Sequence, residues 1–218
     1  MKKSYLAATL GALALVAANP AQAQHGTTPA RVQALRANLA PVPHDPAVDA
    51  GSNVTGRATL VRRGNEVRTI LVARGLTPHL PHAMHIHGEL QARNECPSLA
   101  ADKGGDGLID TVDGLPDYGP IDVSLTTSGG TSGDFADALA LDRFPVPGRS
   151  GVLIYDRSIE VPAEVAANLQ TLHIVVHGAD LNGTGDYDFG PGTSSLSPLV
   201  GTPVPLEAEL PVACGRIE

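Results

Sequence analysis

Tryptophan is missing from the 218-residue chain, and only three Phe and four Tyr are present. So small an aromatic set argues against the stacking platforms that hold bases or sugars. Positive charge is also scarce: 15 Lys and Arg stand against 23 Asp and Glu, for a net charge of −8. Phosphate binding needs a basic face, which argues against nucleic acid as a partner. Long helices are disfavoured because 24 Gly and 18 Pro punctuate the chain. Neither a G-x-S-x-G elbow nor a phosphate-binding Gly loop ahead of a helix occurs. No Ser, Cys or paired-carboxylate engine stands out, so hydrolysis has no support. Hydrophobic residues make up 42 % of the chain, enough for a core.

The N-terminus reads as an address. Lys2 and Lys3 precede an apolar run over residues 5–18, and Asn19-Pro20-Ala21-Gln22-Ala23 follows with an Ala-x-Ala cleavage site. This is the layout of a bacterial-type signal peptide over residues 1–23. The run is short for a bilayer span, which needs about 20 residues. The expected product is periplasmic or secreted, with no membrane span after cleavage. Losing Lys2 and Lys3 takes the charge from −8 to −10 and leaves Lys103 as the only lysine. Cys96 and Cys214 are the only cysteines. An even pair in an oxidising compartment reads as one disulfide.

Residues 24–49 form a loose N-terminal segment with a first element over 31–40, strand or helix undecided. Residues 50–218 read as one domain. Alternating patterns over 54–62 and 66–74 are strands joined by a Gly64-Asn65 hairpin. Residues 82–88, 121–127, 152–161, 172–177 and 206–213 are further strands. Residues 95–119 are a Gly/Asp-rich loop, and Pro162 opens a turn or two of helix to 169. Many short strands with Gly/Pro turns predict an all-β sandwich or barrel.

Six of the eight histidines fall in two groups: His79, His82, His85 and His87, then His173 and His177. On a strand, positions i and i+2 share a face. His85 and His87 therefore point together, away from Ile86. His173, Val175 and His177 share a face, with Ile174 and Val176 on the core side. A sandwich can bring His177 to the His85–His87 pair. Three imidazoles without a thiolate suit copper or zinc. His82 and His173 are the secondary candidates, as ligands or supporting partners.

Two Gly/Asp loops suit a hard cation. Residues 102–113 follow the 12-residue calcium-loop spacing, with Asp102, Asp106, Asp110 and Asp113 at positions 1, 5, 9 and 12. Gly104 at position 3 offers no side-chain oxygen, and Asp113 is shorter than the usual Glu. A second loop opens the same way, with Asp180, Asn182, Thr184 and then Asp188. The alternative for both is turn chemistry, in which the acids hydrogen-bond the local backbone.

Several short motifs carry a resemblance. Gly56-Arg57-Ala58-Thr59-Leu60, Gly75-Leu76 and His85-Ile86-His87-Gly88 resemble the CHRD domain. His85-Ile86-His87, Val175-Val176-His177 with Asp180, and the cysteine pair ending in Ala213-Cys214-Gly215 resemble copper–zinc superoxide dismutase. The resemblance runs in order over about residues 50–218. It implies an antiparallel Greek-key sandwich, with copper at His85, His87 and His177 and possible copper-only superoxide dismutation or copper handling. Departures accompany it. No histidine lies between His87 and His173, so the zinc site is not recognisable, and Pro211 stands where that family has its substrate-guiding Arg. The competing reading is a non-catalytic extracellular module, stabilised by calcium, whose partner is another protein.

Overall fold

The computed structural model describes residues 31–48, 53–88, 93 and 95–218. The signal-peptide reading at residues 1–23 lies outside them. The described chain forms an all-β, antiparallel structure of eight strands. These are β1 (Val32–Pro41), β2 (Thr55–Arg63), β3 (Glu66–Arg74), β4 (Met84–His87), β5 (Ile121–Ser124), β6 (Leu153–Glu160), β7 (His173–His177) and β8 (Pro211–Arg216). They pair in the order β5-β4-β7-β8-β1-β2-β3-β6.

The order splits into two layers, β1-β2-β3-β6 and β5-β4-β7-β8, with β1 shared between them. Val32 to Leu39 pair with β2, whereas Ala40 and Pro41 pair with Cys214 and Ala213 of β8. The undecided first element is thus a strand, and the sheet begins well before residue 50. Alternation explains it: Leu35, Ala37 and Leu39 are buried, while Arg36 and Asn38 are exposed. At the expected hairpin, Arg63 pairs with Glu66 across a two-residue turn. Gly64 takes φ +63 there, a conformation that costs a side-chain-bearing residue strain.

The main core lies between the layers and includes Leu60, Leu71, Met84, Ile86, Leu153, Ile174 and Val176. The two outermost strands are tied by side chains. From β6, the Tyr155 hydroxyl and the Arg157 guanidinium both donate to the Thr126 carbonyl just beyond β5. These bonds hold the curl without a ladder between β5 and β6.

A second cluster packs on the other face of β7 and β8: Val42, Ala101, Ile109, Tyr118, Val175 and Cys214. It is roofed by the 95–119 segment, which is not all loop. Leu99–Ala101 is a 3₁₀ turn, and Thr111–Tyr118 is α1. Gly114 and Pro116 obscured the helix in the sequence, but Asp110 caps it by accepting from the Asp113 N–H at 2.9 Å. Four further helices are short: α2 (Phe135–Ala138), α3 (Ala163–Asn168), α4 (Ser197–Val200) and α5 (Leu206–Glu209). α5 corrects the expectation of a strand over 206–213; the strand begins at Pro211. Leu-Glu-Ala-Glu-Leu alternates like a half-exposed strand, yet Glu207 and Glu209 are both buried. Only a helical turn aims them at separate loops. Glu207 accepts from the Leu181 and Asp188 N–H groups, and Glu209 from that of Thr111.

Cys96 and Cys214 form the expected disulfide, with Cα atoms 5.7 Å apart, and fasten the roof to β8. The bridge spans 118 positions. Replacing both cysteines by serine should lower unfolding stability by about 5 kcal/mol, from loop-closure entropy alone. Urea unfolding of the variant against the oxidised protein measures it, and equal midpoints would refute this contribution.

Candidate metal centre

β4 and β7 are fully buried four- and five-residue strands, because both of their faces are covered. Ile86, Ile174 and Val176 enter the main core, so His85, His87 and His177 must point the other way. His85 lies opposite Val175 in the ladder. His177 is therefore diagonal to His85, within reach of long side chains. The ring centroids are 5.5 Å apart for His85–His87, 5.1 Å for His85–His177 and 5.8 Å for His87–His177. One ring nitrogen from each lies within 4.8 Å of the other two. Among the described residues this is the only such group of three or more His, Cys, Asp or Glu side chains.

Each imidazole is oriented by one backbone carbonyl. His85 Nε2 donates to Ala138 O at 3.1 Å, His87 Nδ1 to Gly119 O at 2.8 Å, and His177 Nδ1 to Glu209 O at 2.6 Å. A neutral imidazole with one N–H so engaged carries its lone pair on the other nitrogen. Those other nitrogens are His85 Nδ1, His87 Nε2 and His177 Nε2, and all three are buried without a hydrogen-bond partner. A buried acceptor left unmade costs about 1–3 kcal/mol. Three such acceptors converging in one place, each with its tautomer set from behind, could hold a metal ion. The carbonyl acceptors were invisible in the sequence because they are backbone groups distant along the chain. Gly119, which ends α1 at φ +85, is one of them.

Electrostatics keep the set unprotonated. Burial pushes His85 well below the ordinary histidine range, aided by His177 and His87. Burial, with His177 adding to it, brings His87 down to about 3. Burial brings His177 down to about 4.

The secondary candidates lie elsewhere. His82 has Nδ1 at 2.9 Å from His177 O and Nε2 at 3.0 Å from Thr77 O, so both of its nitrogens face backbone. It braces the segment that carries His177. His173 sits opposite His87 in the ladder, outside the group of three, with both nitrogens unpartnered. His44, given no role beforehand, clamps the roof: its Nδ1 accepts from Ile109 N–H, and its Nε2 donates to Pro211 O.

The loop acids do not converge into a comparable group. Asp102 accepts from the Gly105 and Gly107 N–H groups, Asp106 from Leu108, Asp110 from Asp113 and Asp113 from Lys103. In the second loop Asp180 accepts from the Gly183, Thr184 and Gly185 N–H groups. Asn182 and Thr184 both donate to the Asp188 carboxylate. Both loops carry hydrogen bonds of the Asx-turn kind.

The depressed histidines set a pH dependence for the metal-free protein. His87 near 3, and His173 and His177 near 4, lie below the ordinary 6.5 of an unfolded chain. Between these values the unfolded state binds more protons, so stability is full above pH 6.5 and falls as the pH drops toward 4. Glu209, raised by burial to about 7, opposes this above pH 4.5 but is one group against several. Denaturant titrations from pH 7 to 4 should show a progressive loss of stability. A flat profile would contradict neutral, buried histidines. Set against known proteins, the chain matches no family model and no curated protein.

Proposed function

We propose that this chain is an exported copper-holding protein of the CHRD or superoxide-dismutase-like sandwich type, with His85, His87 and His177 as the ligands. One observation carries the reading: three buried imidazole nitrogens, freed by carbonyls behind each ring, converge with no other partner. An all-imidazole set without thiolate favours copper or zinc over calcium or magnesium. When bound, copper would supply a redox-active cation; the protein's part is to hold the three rings in fixed tautomers, bury them and keep them unprotonated. The disulfide points to an oxidising, non-cytoplasmic compartment. No described helix is long and apolar enough to cross a membrane.

Copper handling is favoured here over superoxide turnover. Two cavities reach the histidines, and neither is lined by Lys or Arg. An anionic substrate would find no steering charge at the centre and would approach a chain of charge −8.

The test is elemental analysis of the protein after exposure to copper, zinc and calcium and then desalting. The expected result is near one copper per chain, lost in a His85→Gln/His87→Gln variant that keeps its fold. Copper at a hundred times its dissociation constant should raise stability by about 2.7 kcal/mol. Calcium alone, or no metal, would overturn the proposal. Superoxide consumption by the copper-loaded protein would instead favour the enzyme reading over the handling one.

A further inference from the structure

Beside His85 and His177 lies a cavity of about 220 Å³ whose walls are almost wholly aliphatic. Leu139, Leu141, Leu196, Pro203, Val204 and Ala208 are among its lining residues. The polar groups on its walls are His85, His177, Thr111 and Glu209, and Glu209 is the only carboxyl. Its Oε2 accepts from the Thr111 N–H at 2.9 Å, while Oε1 has no partner although the residue is only 3 % exposed. Ser194 is near enough to favour the carboxylate slightly, yet leaves Oε1 without a bond of normal length.

From this arrangement we infer that the cavity binds a neutral, single-ring molecule bearing one hydroxyl group, the ring against the leucines and the hydroxyl at Glu209 Oε1. Size admits it, since an apolar cavity of about 150 Å³ already holds benzene. Charge selects it. The walls hold no Lys or Arg to pair with an anion, and aliphatic side chains cannot replace the hydration of an ion. Glu209 Oε1 has no partner, nor do the free nitrogens of His85 and His177 on the same walls, so the cavity calls for a polar group on the ligand and penalises a ligand that has none. Thr111 and Glu209 belong to the elements α1 and α5, and the Glu209 carbonyl also orients His177. The bound ring would therefore lie alongside the histidine centre. The inference goes beyond the copper reading and does not require it, because every group it uses belongs to the metal-free chain.

The test is calorimetric titration of the metal-free protein with phenol, toluene and benzoate. Phenol should bind at least about tenfold more tightly than benzoate, for want of a counter-charge, and about threefold more tightly than toluene, for the bond to Glu209. Leu141→Trp and, separately, Leu139→Phe fill the space from partly exposed positions. Each should weaken phenol at least about tenfold while copper stoichiometry, read by elemental analysis, stays unchanged. Benzoate binding as well as phenol, no phenol binding at 10 mM (roughly the −3 kcal/mol level), or phenol binding undiminished in both variants would overturn the inference. Failure to take up copper, with phenol binding intact, would count against the metal proposal alone.

Discussion

Three backbone carbonyls, those of Gly119, Ala138 and Glu209, each take the N–H of a buried imidazole, and the loops around the sheet are arranged to deliver them. Each carbonyl comes from the end of a short helix or the residue after it: α1 ends at Tyr118, α2 at Ala138 and α5 at Glu209. Helix C-termini have carbonyls without intrahelical partners, so they can accept from a side chain without breaking a backbone bond. Brief helical turns in an otherwise all-β chain thus place free acceptors behind the histidines. This makes the ligand nitrogens face inward together.

The sheet supports the centre through its two covered faces. Ile86, Ile174 and Val176 lie in the main core, and residues alternating with them face the loops. Val175 packs with Ile109, Tyr118 and Cys214 under the roof, and the Cys96–Cys214 bridge fastens that roof to β8. Tyr118 also stacks edge-on against His87, with ring centroids 4.7 Å apart. The disulfide, the second cluster and the histidines are therefore one packed unit, and loosening the roof would loosen the ring that lies beneath it.

The surroundings are apolar where a charged-substrate enzyme would be polar. Leucine, proline and valine side chains border the histidines, with buried Thr111 and Glu209 as the other polar residues of the cavity wall. A low-dielectric setting depresses the imidazoles and raises the carboxyl for the same reason, the cost of charge away from water. It keeps the three imidazoles unprotonated, so that they could hold a metal ion, and it is inhospitable to free anions.

Much of this was legible from residue patterns. Period-two alternation marked most strands, Gly64 marked a hairpin, and the i, i+2 rule placed His85 and His87 on one face with Val175 and His177 on the corresponding face of their strand. These are local properties, decided within a few residues by backbone geometry. Local patterning was therefore enough for an all-β chain with a histidine-rich pair of strands and one cysteine pair. Long-range packing settles which histidines meet, which ring nitrogen each leaves free, and that Leu206–Glu209 folds as a turn burying two glutamates. Those outcomes depend on carbonyls and neighbours brought from 32 positions away for His87 and His177 and 53 for His85, contacts that no short-range pattern encodes. The loop acids show the local end of the scale: their spacing fits a calcium loop, and the same carboxylates accept from the N–H groups of Gly105, Gly107 and Gly183 a few residues away.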